Sequence, residues 1–423
     1  MPPEALLIVA VAVFAYAALD RRLSATVLTA PILFVALGFG LAMAGAGRGE
    51  ASGVAFDLVA EVSLALVLFA DASRTDARAL IRAHVWPLRM LALGLPLAIA
   101  LGLAAGLVLL PGWPLWEAAA LAAILAPTDA ALGQAVVSNP ALPERVRRAL
   151  TVESGLNDGL ALPAVLLFAS LAAAEDGAGA GGADWSDWLA FAAAQIGFGA
   201  AAGIGAGLAA GRLLAAAIAR RLTGEDSEGL AAVAAVAGCY FLAEALGGNA
   251  FVACFAGGLA FGDGLNRGRA PGAGPMGGFV GEFLENEGRL LVLGAFLLIG
   301  LTLLPGALGR VEAGELALLA VSLFVIRPLA IWISLAGTGA GWRTRLFLGW
   351  FGPRGLATAL FALLALDRGA LAHGDAILAL AAVAVGVSAL LHGATAAPAA
   401  RRFGPALARE GGEPPAPPAP PSS

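Results

Sequence analysis

The sequence contains no lysine, and it is poor in charge and in cysteine. Only 13% of its 423 residues are charged, whereas soluble domains carry about 25%. The two cysteines, Cys239 and Cys254, both lie in apolar segments without CxxC spacing, so a disulfide framework and a thiolate metal site are excluded. The three histidines are scattered and form no ligand set. We therefore expect no cofactor, no nucleic-acid partner and no enzymatic activity.

What the sequence does contain is apolar residues in long blocks. They make up 60% of the chain, and about 20 such residues in a helix cross the ~30 Å hydrocarbon core of a bilayer. A water-soluble protein is excluded, and the pattern predicts an all-α polytopic membrane protein embedded in the lipid bilayer. Thirteen transmembrane helices are predicted near 5–19, 25–45, 54–70, 89–110, 115–138, 149–173, 188–211, 228–246, 249–262, 283–304, 313–336, 346–366 and 375–397.

Arginine placement gives the orientation of these helices. Of the 25 arginines, 19 fall in alternate loops and the C-terminal tail, and three fall in the other loops. Because basic loops face the cytoplasm, we predict a plasma (inner) membrane protein with its N-terminus outside and its C-terminus in the cytoplasm. Helices one to six (1–173) and eight to thirteen (228–397) then enter the membrane in opposite senses, which predicts two inverted six-helix repeats joined by a seventh helix in 174–227. The Pro-rich segment 398–423 is predicted to be a disordered tail.

Two predicted helices are interrupted at the same place in their halves. The fifth contains Ala126-Pro127-Thr128-Asp129, and the twelfth contains Gly352-Pro353-Arg354-Gly355. Proline removes a backbone donor and glycine loosens a helix, so both segments are predicted to unwind and cross near the membrane midplane. The exposed half-helix ends would carry partial charges, which Asp129 and Arg354 are suited to neutralise. A proline kink with a buried ion pair is the simpler alternative.

The sixth helix carries the densest polar motif, Glu153-Ser154-Gly155-Leu156-Asn157-Asp158-Gly159. A carboxylate at a helix centre costs about 2.5–3.5 kcal/mol on insertion scales, so it is seldom present without a function. Ser154 and Asp158 share a helix face. With Thr128 and the unwound carbonyls beside it they could surround a dehydrated cation such as Na⁺ with oxygen ligands, and we place Asn157 and Asp129 in the same binding group. A structural polar cluster between helices is the alternative.

Asp158 is predicted to hold either a proton or a cation. Burial without a permanent counter-charge favours the neutral form of a carboxylic acid, so near neutral pH either ligand can occupy the group, and their mutual exclusion couples the two fluxes. Glu153 needs a partner if ionised, and Arg327 in the eleventh helix is the candidate. Asp71, at the end of the third helix, is either a funnel residue for cations or an interfacial cap.

At these residues the sequence resembles the sodium/proton antiporters of the cation:proton antiporter superfamily, in the branch of the bacterial NhaP-type proteins and animal sodium/proton exchangers. The resemblance rests on Pro127-Thr128-Asp129 and the 153–159 motif, supported by Arg327-Pro328 and the 352–355 motif. It implies a homodimer with a dimerisation domain and a core domain that moves like an elevator. It places the ion site on Asp158 with help from Ser154 and Thr128, pairs Glu153 with Arg327, and associates Asn157-Asp158 with electroneutral exchange.

The sequence departs from the family pattern at two positions. Ala70 stands where many relatives have a glutamate at the end of the third helix, and Gly155 replaces a leucine of the usual motif. The predicted function is proton exchange for Na⁺ or Li⁺, with K⁺/H⁺ exchange as the alternative. A passive cation channel or ion sensor is a possibility of another class. An intramembrane aspartyl protease is disfavoured because neither Asp129 nor Asp158 stands in a GxGD-type context.

Overall fold

The computed structural model describes residues 3–23, 29–46, 50–74, 85–175, 185–267, 278–367 and 371–411. Within these ranges the chain is helical and has no strand. The last part of the predicted tail, 412–423, lies outside the described residues, as do parts of several predicted loops.

A helix or a pair of half-helices lies at each of the thirteen predicted positions. We number them α1 to α13 and give the letters a and b to the two broken ones. They are α1 (Pro3–Leu23), α2 (Ala30–Met43), α3 (Glu50–Ser73), α4 (Val85–Leu109), α5a (Leu115–Ile124), α5b (Ala130–Val137), α6 (Glu144–Glu175), α7 (Trp185–Ala219), α8 (Glu225–Ala245), α9 (Ala250–Asn266), α10 (278–307), α11 (Ala313–Ser334), α12a (Trp342–Trp350), α12b (Leu356–Asp367) and α13 (Gly374–Gly411).

The helices confirm an all-α membrane protein. Among the described residues, seven helices are long and apolar enough to cross a bilayer, and five apolar helices are shorter. Both predicted breaks are present, at 125–129 between α5a and α5b and at 351–355 between α12a and α12b. The number of crossings, the inverted repeat and the domain limits at 173, 227 and 397 stay predictions.

The disordered tail predicted from residue 398 is wrong for its first part, because α13 continues to Gly411. Two prolines lie inside this helix, but the segment is held by packing: Leu407 is buried, and Phe403 contacts Phe347 of α12a edge-on. The Glu410 carboxylate accepts hydrogen bonds from the backbone N–H (3.1 Å) and the hydroxyl (2.8 Å) of Thr344. Since Gly341, which precedes α12a, offers no side-chain cap, Glu410 caps that helix from the far end of the chain.

Three helices contain a widened, π-type turn that the apolar pattern does not reveal. The turns are Met90–Gly94 in α4, Ile299–Leu303 in α10 and Ser322–Ile326 in α11. Each is followed within two residues by a proline. Proline has no N–H to donate and its ring clashes with the preceding turn, and a π-bulge is one way in which a helix absorbs such a defect. The turn in α11 directly precedes Arg327.

The seventh helix packs against α9 with its backbone almost touching that of its neighbour. A Cβ atom added at Gly203 would lie 2.2 Å from the carbonyl oxygen of Ala253, and one at Gly207 would lie 2.1 Å from that of Gly257. Small residues at such spacing permit close helix packing in a membrane, where lipid offers no hydrophobic drive for association. The linking helix is therefore fixed tightly to the second half of the chain.

Candidate functional site

The two broken helices meet at their unwound segments. The backbone N–H of Asp129 donates to the carbonyl oxygen of Pro353 at 2.8 Å. The approach is possible only because residue 355 is glycine: a Cβ there would lie 2.0 Å from Asp129 Oδ2. Residue 352 has the same constraint, since a Cβ there would lie 1.6 Å from Arg327 Nε. The two glycines of the Gly-Pro-Arg-Gly motif thus leave space for the side chains of Arg327 and Asp129.

Asp129 compensates the N-terminal ends of both second half-helices. Its Oδ1 accepts from the N–H of Leu132 in α5b, and its Oδ2 accepts from the N–H of Leu356 in α12b, each at 2.9 Å. A carboxylate is favoured at a helix N-terminus because of the free N–H groups and the helix dipole. We predicted Asp129 both as a helix-end group and among the cation ligands. The structure brings both of its oxygens to backbone donors, which is the helix-end role, and its role as a cation ligand stays a prediction.

Arg354 performs the opposite role at the carbonyl ends of the breaks. Its guanidinium donates to the carbonyl oxygens of Gly352 (2.9 Å) and Pro127 (3.4 Å), and to the hydroxyl of Ser322 in α11 (3.4 Å). The side chain is 1% exposed. A buried cation is stabilised by carbonyl groups that have no helical partner, so Arg354 joins the break in α12 to the one in α5.

Thr128, in the break of α5, is the meeting point of the predicted ligands. Its hydroxyl accepts a hydrogen bond from Asn157 Nδ2 at 2.6 Å and lies 3.2 Å from the hydroxyl of Ser154. All three side chains are buried. The structure therefore brings together Thr128, Ser154 and Asn157, which are up to 29 residues apart in the sequence, at one side of α6.

Asp158 follows one helical turn after Ser154 on α6 and is 8% exposed. Its Oδ1 atom is buried, and no hydrogen-bond partner reaches it from the described residues; the same holds for Asn157 Oδ1. A buried polar atom without a partner costs about 1–3 kcal/mol, and in native proteins it calls for an explanation such as an ion. Carboxylate, amide and hydroxyl oxygens are ligands that suit a hard cation.

A buried, bidentate ion pair holds α6 to α11 next to this group. Arg327 Nη1 and Nη2 donate to Glu153 Oε1 and Oε2 at 2.8 and 2.9 Å, and the side chains are 5% and 4% exposed. Two parallel bonds fix both planar groups in direction as well as distance. The pairing that the sequence predicted is thus present, with Glu153 immediately before Ser154.

Asp71, near the end of α3, lies against the same face of α6. A Cβ added at Gly155 would meet the Cβ of Asp71 at 3.4 Å and its Oδ2 at 3.9 Å. Gly155 therefore lies directly beside this carboxylate. Asp71 is half-buried, and it lies within electrostatic range of Asp158. Its two predicted roles, cation funnel and interfacial cap, stay predictions.

A small cavity of about 40 Å³ borders Ser154. It lies between α5b, the first turns of α6 and the break of α12, and its wall includes Gln134, Thr151, Ser154 and Pro353.

Two polar groups around the broken helices were missed from the sequence. Glu117, near the start of α5a, is 0% exposed and accepts from the backbone N–H of Ala372 and of His373 and from His373 Nδ1. It thereby ties the start of α5 to the segment after α12. Ser388 of α13 contacts the backbone N–H of Arg354 in the break of α12, and His392 contacts the carbonyl oxygen of Trp350 just before this break. The only signal for either group was a lone polar residue in an apolar segment.

Known proteins share this arrangement of helices. The family model described as sodium/hydrogen exchanger, transmembrane, matches residues 9–402. The chain belongs to the sodium/hydrogen exchanger family. Members of the family are membrane transporters rather than enzymes, and the chain is a multi-pass membrane protein of the bacterial NhaP type, as its motifs predicted.

Individual relatives support this family assignment. The K⁺/H⁺ antiporter NhaP2 of Shewanella oneidensis is 30% identical over 88% of this chain and 62% of its own length. The K⁺/H⁺ antiporter NhaP of Alkalimonas amylolytica is 27% identical over 79% of this chain and 56% of its own length. The chain thus spans less than two thirds of the curated relatives that it matches. The sodium proton antiporter MjNhaP1 of Methanocaldococcus jannaschii has the same fold, with a TM-score of 0.76, 19% identity, and coverage of 96% of this chain and 98% of that one.

Proposed function

We propose that this protein exchanges protons for a monovalent alkali cation across the membrane, and that the two compete for Asp158. The observation that carries the proposal is the unpartnered buried oxygen of Asp158, one helical turn after Ser154, whose hydroxyl meets that of Thr128. A carboxyl group in this position is satisfied either by its own proton or by a cation. Because one group cannot hold both, each cation that binds displaces one proton.

The ligand set comes from two elements. Ser154, Asn157 and Asp158 belong to α6, whereas Thr128 belongs to the unwound segment of α5. Discontinuous helices form the substrate and ion sites of transporters, and alternating access is motion of one part of the protein around such a site. The small cavity beside Ser154 borders this ligand set.

The resemblance to sodium/proton antiporters favours Na⁺ or Li⁺ as the exchanged cation, and K⁺ is a comparably supported alternative. It is favoured by the names of the curated relatives, which are K⁺/H⁺ antiporters. Asn157 in place of a second aspartate leaves a single carboxylate in the pair, which supports electroneutral one-for-one exchange. By the arginine rule the C-terminus faces the cytoplasm of the cell's inner membrane, and the family resemblance supports a homodimer.

Proteoliposomes containing a pH-sensitive dye test the proposal. Na⁺, Li⁺ and K⁺ are added to the outside in turn. The cation that is transported should release protons from the lumen. The change should persist when the membrane potential is clamped to zero, since a one-for-one exchange moves no net charge. A passive channel would instead move the cation without displacing protons, and the potential would follow its gradient.

Two matched variants assign the flux to one carboxylate. Asp158→Asn removes the exchangeable proton and should abolish the response to every cation. Asp367→Asn makes the same substitution at an exposed position at the end of α12b and should leave the rate within about twofold. A wild-type protein that leaves lumenal pH unchanged for all three cations would overturn the function. Full exchange by Asp158→Asn would overturn the role of Asp158.

A further inference from the structure

We propose that Ser388 and His392 of α13 are positioning residues, which hold the unwound segment of α12 in place behind the cation site. The proposal rests on the proposed antiport for its functional consequence, but its structural part stands independently. It concerns three hydrogen bonds that bridge the break from the last residue of α12a to Arg354. Both side chains are buried, His392 at 3% and Ser388 at 0% exposure.

The bridge begins at the end of the first half-helix. His392 Nε2 lies 3.0 Å from the carbonyl oxygen of Trp350, the last residue of α12a. This carbonyl belongs to the group at a helix C-terminus that lacks an intrahelical partner. Trp350 is also held by its indole, whose Nε1–H donates to Thr395 of α13 at 3.0 Å. The end of α12a is thus attached to α13 at two points.

The other end of the bridge is the backbone of Arg354. Its N–H donates to the hydroxyl of Ser388 at 2.7 Å, and that hydroxyl lies 3.0 Å from His392 Nδ1. Between Trp350 and Arg354 the chain turns out of the helix, and the contacts with α13 hold it on both sides of residues 351–353. Ser388 and His392 are four residues apart and share one face of α13.

The partners determine the direction of each bond. A carbonyl oxygen only accepts, so His392 Nε2 carries the hydrogen and donates to Trp350. The Ser388 hydroxyl accepts from Arg354 and can therefore donate its own hydrogen to Nδ1 of a neutral ring. The Ser388 carbonyl also lies 2.9 Å from Nδ1; donation to it would require a second ring hydrogen and a positive charge near Arg354 and Arg327. We assign the neutral Nε2–H tautomer, which makes one continuous chain of donors from Arg354 to Trp350.

This chain of bonds reaches the cation site through the crossing of the two breaks. Arg354 donates to Pro127, and Pro353 accepts from Asp129. Those residues flank Thr128, whose hydroxyl contacts Ser154 and Asn157. Displacement of residues 351–355 therefore displaces Thr128 without any direct contact between His392 and the cation.

Hydrogen–deuterium exchange of the purified full chain tests the structural part without reference to transport. His392→Leu removes the donor and the acceptor at similar volume, and His392→Gln keeps an amide donor within reach of Trp350. We expect the amides of Asp129, Arg354 and Leu356 to exchange at least tenfold faster in His392→Leu and in Ser388→Ala, with exchange within about threefold of wild type in His392→Gln. Ser170→Ala, a buried serine bonded within its own helix, is the control and should leave these amides unchanged.

The same variants in proteoliposomes test the functional part. Loss of positioning should raise the half-saturating cation concentration about tenfold in His392→Leu, with rescue to within about threefold by His392→Gln. In the double variant Ser388→Ala/His392→Leu the half-saturating cation concentration should rise by no more than about tenfold, because either change interrupts the same chain of bonds. Wild-type exchange rates of the three amides in His392→Leu, or equal losses in the Leu and Gln variants, would overturn the proposal. A wild-type protein without antiport would overturn only the proposed function.

Discussion

Substitutions of Asp129 distinguish a carboxylate that caps helices from one that binds the cation. Each of its oxygens accepts one backbone N–H from a different half-helix, at 2.9 Å. An N-cap contributes about 0.5–2 kcal/mol, and hydrogen bonds to charged groups stand at the upper end of that range. Removal of both caps by Asp129→Ala should therefore lower the free energy of unfolding by about 3 kcal/mol. Asp129→Asn keeps one oxygen but turns an amide donor toward the other N–H, so it should cost about half as much or more.

Reversible unfolding in mixed detergent micelles measures these differences, with cation binding followed on the same samples. The exposed Asp367→Asn change is the control and should stay within about 0.5 kcal/mol of wild type. At a cation concentration that saturates the wild type, the folded fraction of Asp129→Asn should still bind. If Asp129→Ala keeps wild-type stability but loses cation binding, the capping account is refuted, and Asp129 returns to the ligand set.

Three further substitutions test the supports around the site. Glu153→Ala leaves Arg327 buried without its partner and should lower the free energy of unfolding by about 3–5 kcal/mol. The double change to apolar residues, Glu153→Leu with Arg327→Met, should lower it by less in the same unfolding assay. Glu410→Ala removes the cap of α12a and should cost about 1 kcal/mol, visible as faster amide exchange of Thr344; an unchanged rate would contradict the cap. Gly207→Val forces a side chain onto the α9 backbone and should cost about 1–3 kcal/mol, while Gly205→Val, which points into open space, should be nearly neutral in thermal unfolding.

The helices and the polar motifs could be predicted from the sequence because both depend on local energies. An apolar block of membrane length is decided by its own residues. The cost of a buried carboxylate singles out Asp158 and Glu153 wherever their partners lie. The pairing of Glu153 with Arg327 followed from the same cost, since each buried charge requires an opposite one.

The partners of uncharged groups could not be predicted in this way. Ser388 and His392 look like ordinary polar residues of an apolar helix, and only the fold brings them to the break 34 to 42 residues away. Glu410 stands in a segment whose prolines indicate disorder, yet its contact with Thr344 holds that segment in the helix. The backbone donor for the second oxygen of Asp129 could not be predicted either, because it comes from α12b, 227 residues further along the chain.

In the proposed mechanism one carboxyl group, that of Asp158, exchanges a proton for a cation. Titration of the detergent-solubilised protein with its transported cation, in buffers of different ionisation enthalpy, measures the protons released as the cation binds. We predict up to one proton per bound cation near the pH at which Asp158 is protonated in the free protein, and neither binding nor release for Asp158→Asn. Cation binding that releases no proton at any pH, or binding that survives in Asp158→Asn, would contradict the claim.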